Sequence, residues 1–122
     1  MPRDPSKQSA FPISLQPAVF QILIALADQD RHGYAIMQDV AARTDGRLKL
    51  SPGTLYGSIK RMLEDGLIVE LDQRPSPDDD ERRRYYRLTR VGRETAQAEA
   101  DRLTTLLRQA RAAGLTPRRS TS

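Results

Sequence analysis

The sequence contains no cysteine and no tryptophan. Without thiols it has neither a disulfide framework nor a thiolate metal site, which suits a reducing compartment. Its single histidine, His32, cannot build a zinc site unaided. No apolar run approaches the roughly 18 residues that a bilayer-spanning helix needs. The opening "MPRDPSKQSA" has no apolar segment like that of a signal peptide. A cytoplasmic protein with no membrane partner is therefore expected. Catalytic signatures are missing too. There is no phosphate-binding glycine loop, no nucleophile elbow and no Ser/His/Asp set, because His32 stands beside Gly33 in a helix-start turn. Neither an enzyme nor a cofactor site is expected.

The 122 residues, 38% of them hydrophobic, fit one domain with a modest core and an extension. The net charge of +4 is mild, but it is unevenly spread. Residues 1–81 carry 9 Lys and Arg against 13 Asp and Glu, whereas residues 82–122 carry 11 against 3. Such asymmetry suggests a surface that meets an anion, of which nucleic acid is the usual large one. On charge alone, a solvated arginine-rich tail would look the same.

Periodicity divides the chain. Residues 1–12, polar and holding Pro2, Pro5 and Pro12, read as a flexible arm. "SLQPAVFQILIALADQD" predicts a helix with Pro17 in its first turn. Val19, Phe20, Ile22, Leu23, Ile24 and Leu26 make it apolar on so much of its circumference that it needs cover on more than one side. A second copy of the molecule is one such cover, with Phe20 and Leu23 as contacts. "RHGYAIMQDVAART" predicts a helix from near Gly33 with Ile36, Met37 and Val40 inward, and "GRLKL" a short extended piece.

In "LSPGTLYGSIKRMLEDGLI", residues 50–68, Ser51 is an N-cap and Pro52 occupies the first helical position, where its missing N–H costs nothing. Leu55, Ile59, Met62 and Leu63 fall within about 100° on a helical wheel. Gly66 stops the helix. "LIVELD" and "RRRYYRLT" then form a hairpin around "QRPSPDDDE", with Tyr86 and Leu88 on one face and Tyr85 and Arg87 on the other. Thr89 caps a last helix, "RVGRETAQAEADRLTTLLRQARAAG", in which Ala96, Ala100, Leu103, Leu107 and Ala110 are spaced 4, 3, 4 and 3. That is the a/d rhythm of a helix that pairs with another helix. "LTPRRSTS" reads as a disordered basic end.

The third helix carries the chemistry. Opposite its apolar stripe lie Gly53, Thr54, Gly57, Lys60, Arg61 and Glu64, flanked by Tyr56 and Ser58. Small residues let a backbone approach another surface closely. Lys60 and Arg61 supply donors for phosphate oxygens or guanine edges, and Tyr56 reaches a phosphate or a thymine methyl. The N–H groups at the helix start favour a phosphate. A short helix, a turn and such a helix make a helix-turn-helix, and the hairpin with Arg82, Arg83 and Arg84 serves as a wing. The acids Asp78–Glu81 lack the glycine-marked spacing of a calcium loop, so no metal is expected there. His32 is read as a residue that shapes the entry to the second helix rather than as a pH switch.

"HGYAIMQDV", "LSPGTLYGSIKRMLEDGLI" and "RRRYYRLTRVGRE" resemble the three signature blocks of the PadR family of bacterial transcriptional regulators, over about residues 15–112. The resemblance implies a mainly α fold with a small β-hairpin wing. Residues 13–89 would form a winged helix-turn-helix DNA-binding domain and residues 90–113 a C-terminal dimerisation helix, flanked by the arm (1–12) and the tail (114–122). It further implies a repressor that binds a palindromic operator in double-stranded DNA as a homodimer and is released by a small-molecule or stress signal. Carried over by position, Ser51, Gly53, Thr54, Tyr56, Gly57 and Lys60 fall in the reading-helix block. Gly33 and Tyr34 belong to the supporting helix near a phosphate, and Arg82, Arg83 and Arg84 to the wing.

Two features depart from the family's pattern. The wing tip "PSPDDDE" is acidic where a tip entering a minor groove is basic, so phosphate contact is assigned to the arginines after it. The lack of tryptophan removes the residue that members use to hold flat aromatic drugs at the dimer centre. A rival reading keeps the winged helix but makes it a protein-interaction module, on the negative balance of residues 1–81 and the acidic tip.

Overall fold

The computed structural model describes residues 15–71 and 84–115. The expected arm (1–12), the wing tip with Asp78–Glu81, Arg82 and Arg83, and the basic end beyond Leu115 lie outside the described residues. The elements run α1 (Pro17–Ala27), β1 (Arg31–His32), α2 (Gly33–Arg43), α3 (Pro52–Glu64), β2 (Ile68–Glu70), β3 (Tyr85–Leu88) and α4 (Arg90–Ala112).

Helix α1 starts on Pro17 without a side-chain cap, and the other helices start on capped ends. The side chains of Ser51 and Thr89 accept the backbone N–H of Thr54 and Gly92, at 3.1 and 2.9 Å. The cap of α2 is His32, whose Nδ1 accepts the Ala35 N–H at 3.1 Å. The ring also meets Tyr85 edge-on, with centroids 5.2 Å apart. Helix α3 ends at Gly66, whose φ of 75° lets the Leu67 N–H reach back to the Met62 carbonyl at 2.9 Å.

The expected two-strand hairpin gains a third strand. The sheet is antiparallel in the order β1-β3-β2, with Arg31 opposite Tyr86, and Ile68 opposite Leu88. "GRLKL" forms no strand. It belongs to a turn in which Asp45 and Gly46 take positive φ, of 53° and 78°. There the Thr44 hydroxyl donates to the Val40 carbonyl at 2.9 Å and accepts the Leu48 N–H at 3.1 Å. Leu50 closes the turn by entering the core.

The core is one cluster in which Ile22 and Leu23 of α1, Ile36 and Val40 of α2, Leu55, Ile59 and Met62 of α3, and Ile68 and Tyr86 of the sheet are buried together. The cover that α1 requires comes mainly from α2 and α4 of the same chain. Leu23 is fully buried in this cluster and has no surface to offer a second copy, which corrects its assignment as a dimer contact. Ala96 packs on the same core, so α4 begins as part of the domain.

Polar ties set how the helices dock. Asp39 receives Arg31 at 3.4 Å and Arg43 at 2.7 Å; Arg31 Nε donates to the Ala25 carbonyl at 2.7 Å and Arg43 Nη1 to Gln21 Oε1 at 2.7 Å, binding α1 to α2. At the root of α4, Thr89 Oγ1 donates to the Gly66 carbonyl at 2.6 Å. A Cβ at Gly92 would overlap the Leu67 carbonyl oxygen and lie 2.9 Å from its carbon. Glycine is required there because the helix lies directly on backbone.

Candidate nucleic-acid interface

Helix α3 divides along its length. Leu55, Ile59 and Met62 face the core with at most 2% exposure, and Leu63 is half-buried. On the other side Gly53, Thr54, Tyr56, Gly57, Lys60, Arg61 and Glu64 are exposed, with Ser51 at their head. A Cβ built on Gly53 or Gly57 meets nothing within 4 Å. These glycines are not packed against the chain's own atoms, so the slender face they create opens outward.

Most arginines elsewhere on the described surface are tied within the chain, whereas Arg108 and Arg111 of α4 are exposed with no side-chain partner among the described residues. Arg31, Arg43, Arg84, Arg87, Arg90 and Arg102 each pair with an Asp or Glu. Arg93 donates to the Ala27 carbonyl at 2.9 Å, satisfying the end of α1. Lys60 and Arg61 have no hydrogen-bond or ion-pair partner among the described residues. The same is true of Arg47 and Lys49 in the turn before α3, both exposed and both absent from the expected interface. Their signal lies in the alternation of "RLKL": Leu48 and Leu50 turn inward, which sends Arg47 and Lys49 out.

The remaining expected contacts fall differently. Tyr34 is 58% and Tyr56 49% exposed. Gly33 is buried, and its Cα lies against the Tyr56 ring. It is therefore a packing position and not an open one. Arg84 is exposed but bound to Glu70 at 2.7 Å, so an anion must displace that carboxylate. Exchange is inexpensive, because exposed ion pairs contribute little.

The second expected surface is on α4. Leu103 and Leu107 are 40% and 39% exposed, and Leu106, which the spacing argument passed over, is 46% exposed. Ala100 and Ala110 are half-buried, as is Phe20 on α1. Midway along α4 Glu99 is 5% exposed. Its carboxylate takes two bonds from Arg102, at 2.9 and 2.6 Å, and one from the Leu15 N–H at 3.4 Å. The Arg102 bonds hold its pKa below the ordinary glutamate value, against the opposing effect of burial.

Among the described residues no three His, Asp or Glu side chains gather into a metal site, and no helix is long and apolar enough to cross a membrane.

An exposed helix after a short supporting helix, backed by a small antiparallel sheet, defines the winged helix-turn-helix class. The chain belongs to the transcriptional regulator PadR-like family, whose sequence profile matches residues 22–98. Membership places the matched residues in a family of transcriptional regulators.

The chain is 33% identical over 72 residues to an uncharacterized protein of Lysinibacillus sphaericus, covering 59% of this chain and 64% of that one. It is 37% identical over 79 residues to an uncharacterized 37.1 kDa protein in a transposon of Streptomyces fradiae, covering 65% of this chain and 21% of that one. It thus spans less than two thirds of the length of either curated relative. Its fold is similar to the crystal structure of a PadR family transcription regulator from Clostridium difficile R20291. The TM-score is 0.66 at 24% identity, over 80% of this chain and 97% of that chain.

Proposed function

We propose that the protein is a DNA-binding repressor that acts as a homodimer on a palindromic operator, with α3 of each copy in a major groove. The observation that carries this reading is the outer face of α3, where Gly53 and Gly57 look into open space and Lys60 and Arg61 have no partner among the described residues. A helix that enters a groove needs such a face, slim and rich in donors. Thr54, Tyr56, Lys60 and Arg61 are assigned to bases and nearby phosphates, and Tyr34, Arg47 and Lys49 to the backbone. Arg84, with Arg82 and Arg83, is assigned to the backbone beside the wing.

Dimerisation is assigned to Leu103, Leu106 and Leu107 with Ala100 and Ala110, and to Phe20 at the edge. Two copies joined there would set their reading helices about 34 Å apart, one turn of DNA. Release by a small-molecule or stress signal is part of the reading, on the family resemblance.

Selection of duplexes bound by the full chain from a random-sequence pool tests the proposal. The expected product is an inverted repeat whose retention falls steeply as salt is raised. Failure to enrich any sequence, with a flat salt response, rejects it. A reporter with the selected site over its promoter tests repression: expression should fall when the protein is supplied, and a rise would make it an activator.

A further inference from the structure

Gly33 occupies the first position of α2. Positive φ among the glycines is confined to Gly46, Gly66 and Gly114, so no left-handed backbone calls for glycine here. Alanine is the better helix former at such a place. What calls for glycine is space. A methyl group on Gly33 would overlap the Tyr56 hydroxyl and lie 2.9 Å from Tyr56 Cζ and 3.1 Å from Cε1.

Tyr56 belongs to α3, across the turn. Its ring therefore reaches from the reading helix to the first turn of the supporting helix, with about half its surface still in solvent. Tyr86 of β3 is buried, and its pKa is raised by that burial first, with Glu70 and Tyr56 adding to the effect. Strand β3 pairs with β1, which leads directly into Gly33. Tyr56 thus spans α3 and the first turn of α2.

We infer that Gly33 is a positioning residue for DNA binding: its missing side chain seats the Tyr56 ring at one height on the outer face of α3, where the hydroxyl meets the nucleic acid. The inference rests on the DNA reading above and replaces the direct phosphate contact expected of Gly33. A half-exposed ring has room to swing outward when pushed. The steric conflict made by Gly33→Ala is therefore relieved at little cost to the fold, while Tyr56 is moved from its seat.

Fluorine NMR of protein labelled with 3-fluorotyrosine, combined with DNA titration, tests this. The chain has four tyrosines, and Tyr56→Phe identifies the Tyr56 resonance by its loss. Gly33→Ala is expected to shift that resonance without lowering the melting temperature. It should weaken binding to the selected duplex about tenfold, the loss of one modest hydrogen bond from each subunit. Tyr56→Ala should weaken binding to a similar extent, and adding Gly33→Ala to it should cause no further loss, since the two act through one contact. An unmoved resonance, wild-type affinity in Gly33→Ala, or losses that simply multiply in the double variant each overturn the inference and leave the DNA reading intact. A wild-type chain that binds no duplex overturns the DNA reading itself, and this inference with it.

Discussion

The outer face of α3 and the C-terminal half of α4 are both exposed, yet one presents two glycines with Thr54, Lys60 and Arg61 and the other presents Leu103, Leu106 and Leu107. A face of cations and glycines is well solvated as it stands and gains most by meeting an anion. A face of leucines is poorly solvated, and covering what remains exposed of these three would stabilise each chain by about 2–3 kcal/mol. The two faces thus call for different partners, a polyanion and a second apolar surface. The rest of the described surface is unlike both, since its arginines are mostly paired within the chain.

The largest test breaks the apolar half of the comparison. Leu103→Glu with Leu107→Glu is expected to give a monomer in light scattering. DNA affinity should fall about 100-fold or more, because the second reading helix is no longer tethered to the first. A variant that stays dimeric places the seam elsewhere, with Phe20 of α1 the next candidate.

Gly92→Ala asks whether the two faces depend on one docked body. A Cβ there meets the Leu67 carbonyl, backbone that cannot swing aside, so thermal melting should show a loss of about 2 kcal/mol. An unchanged melting temperature would mean that α4 shifts freely on β2.

Lys60→Ala with Arg61→Ala removes the cations from α3 alone. Affinity for the selected duplex should fall at least tenfold, and the slope against log salt should drop by about 4, two cations from each subunit, with melting unchanged. Binding as tight as wild type at moderate salt would show that α3 is not the reader.

The smallest effect concerns Glu99, at the boundary between the packed and exposed halves of α4. Arg102 lowers its pKa in the folded chain, so its contribution is present above the unfolded pKa and is lost as pH falls through the folded value. Glu99→Gln should be less stable than wild type at neutral pH by about 1 kcal/mol or less, because Glu99 is covered but its partner Arg102 is partly open to solvent. Thermal melts across an acid series should show that gap closing as pH falls. A gap that widens in acid would reverse the assignment.

Much of this architecture was legible beforehand. The four helices, the Ser51 and Thr89 caps, the stop at Gly66 and the inward stripe of α3 all follow from short-range patterns. Strand β1 was not legible, because two residues, Arg31 and His32, carry no alternation. It exists because β3 offers an edge and His32 can cap α2 from there. Leu23 was misassigned for a related reason. An all-round apolar helix announces that it will be covered, but not by which element, and here α2 and α4 of the same chain provide much of that cover. In the candidate interface, Lys60, Arg61, Thr54 and the open glycines were legible from the wheel. Arg47 and Lys49 lie in the stretch read as a short extended piece, to which no chemistry was assigned.

Caps, glycine stops and helical faces belong to the sequence by itself, because each depends on residues within about four positions of one another. Only the tertiary structure decided that Gly33 lies beneath Tyr56, that Gly92 lies on Leu67, and that Ala96 faces the core while Leu106 faces out. These are contacts between separate elements, and they are set by how the packed helices and sheet come to rest against each other.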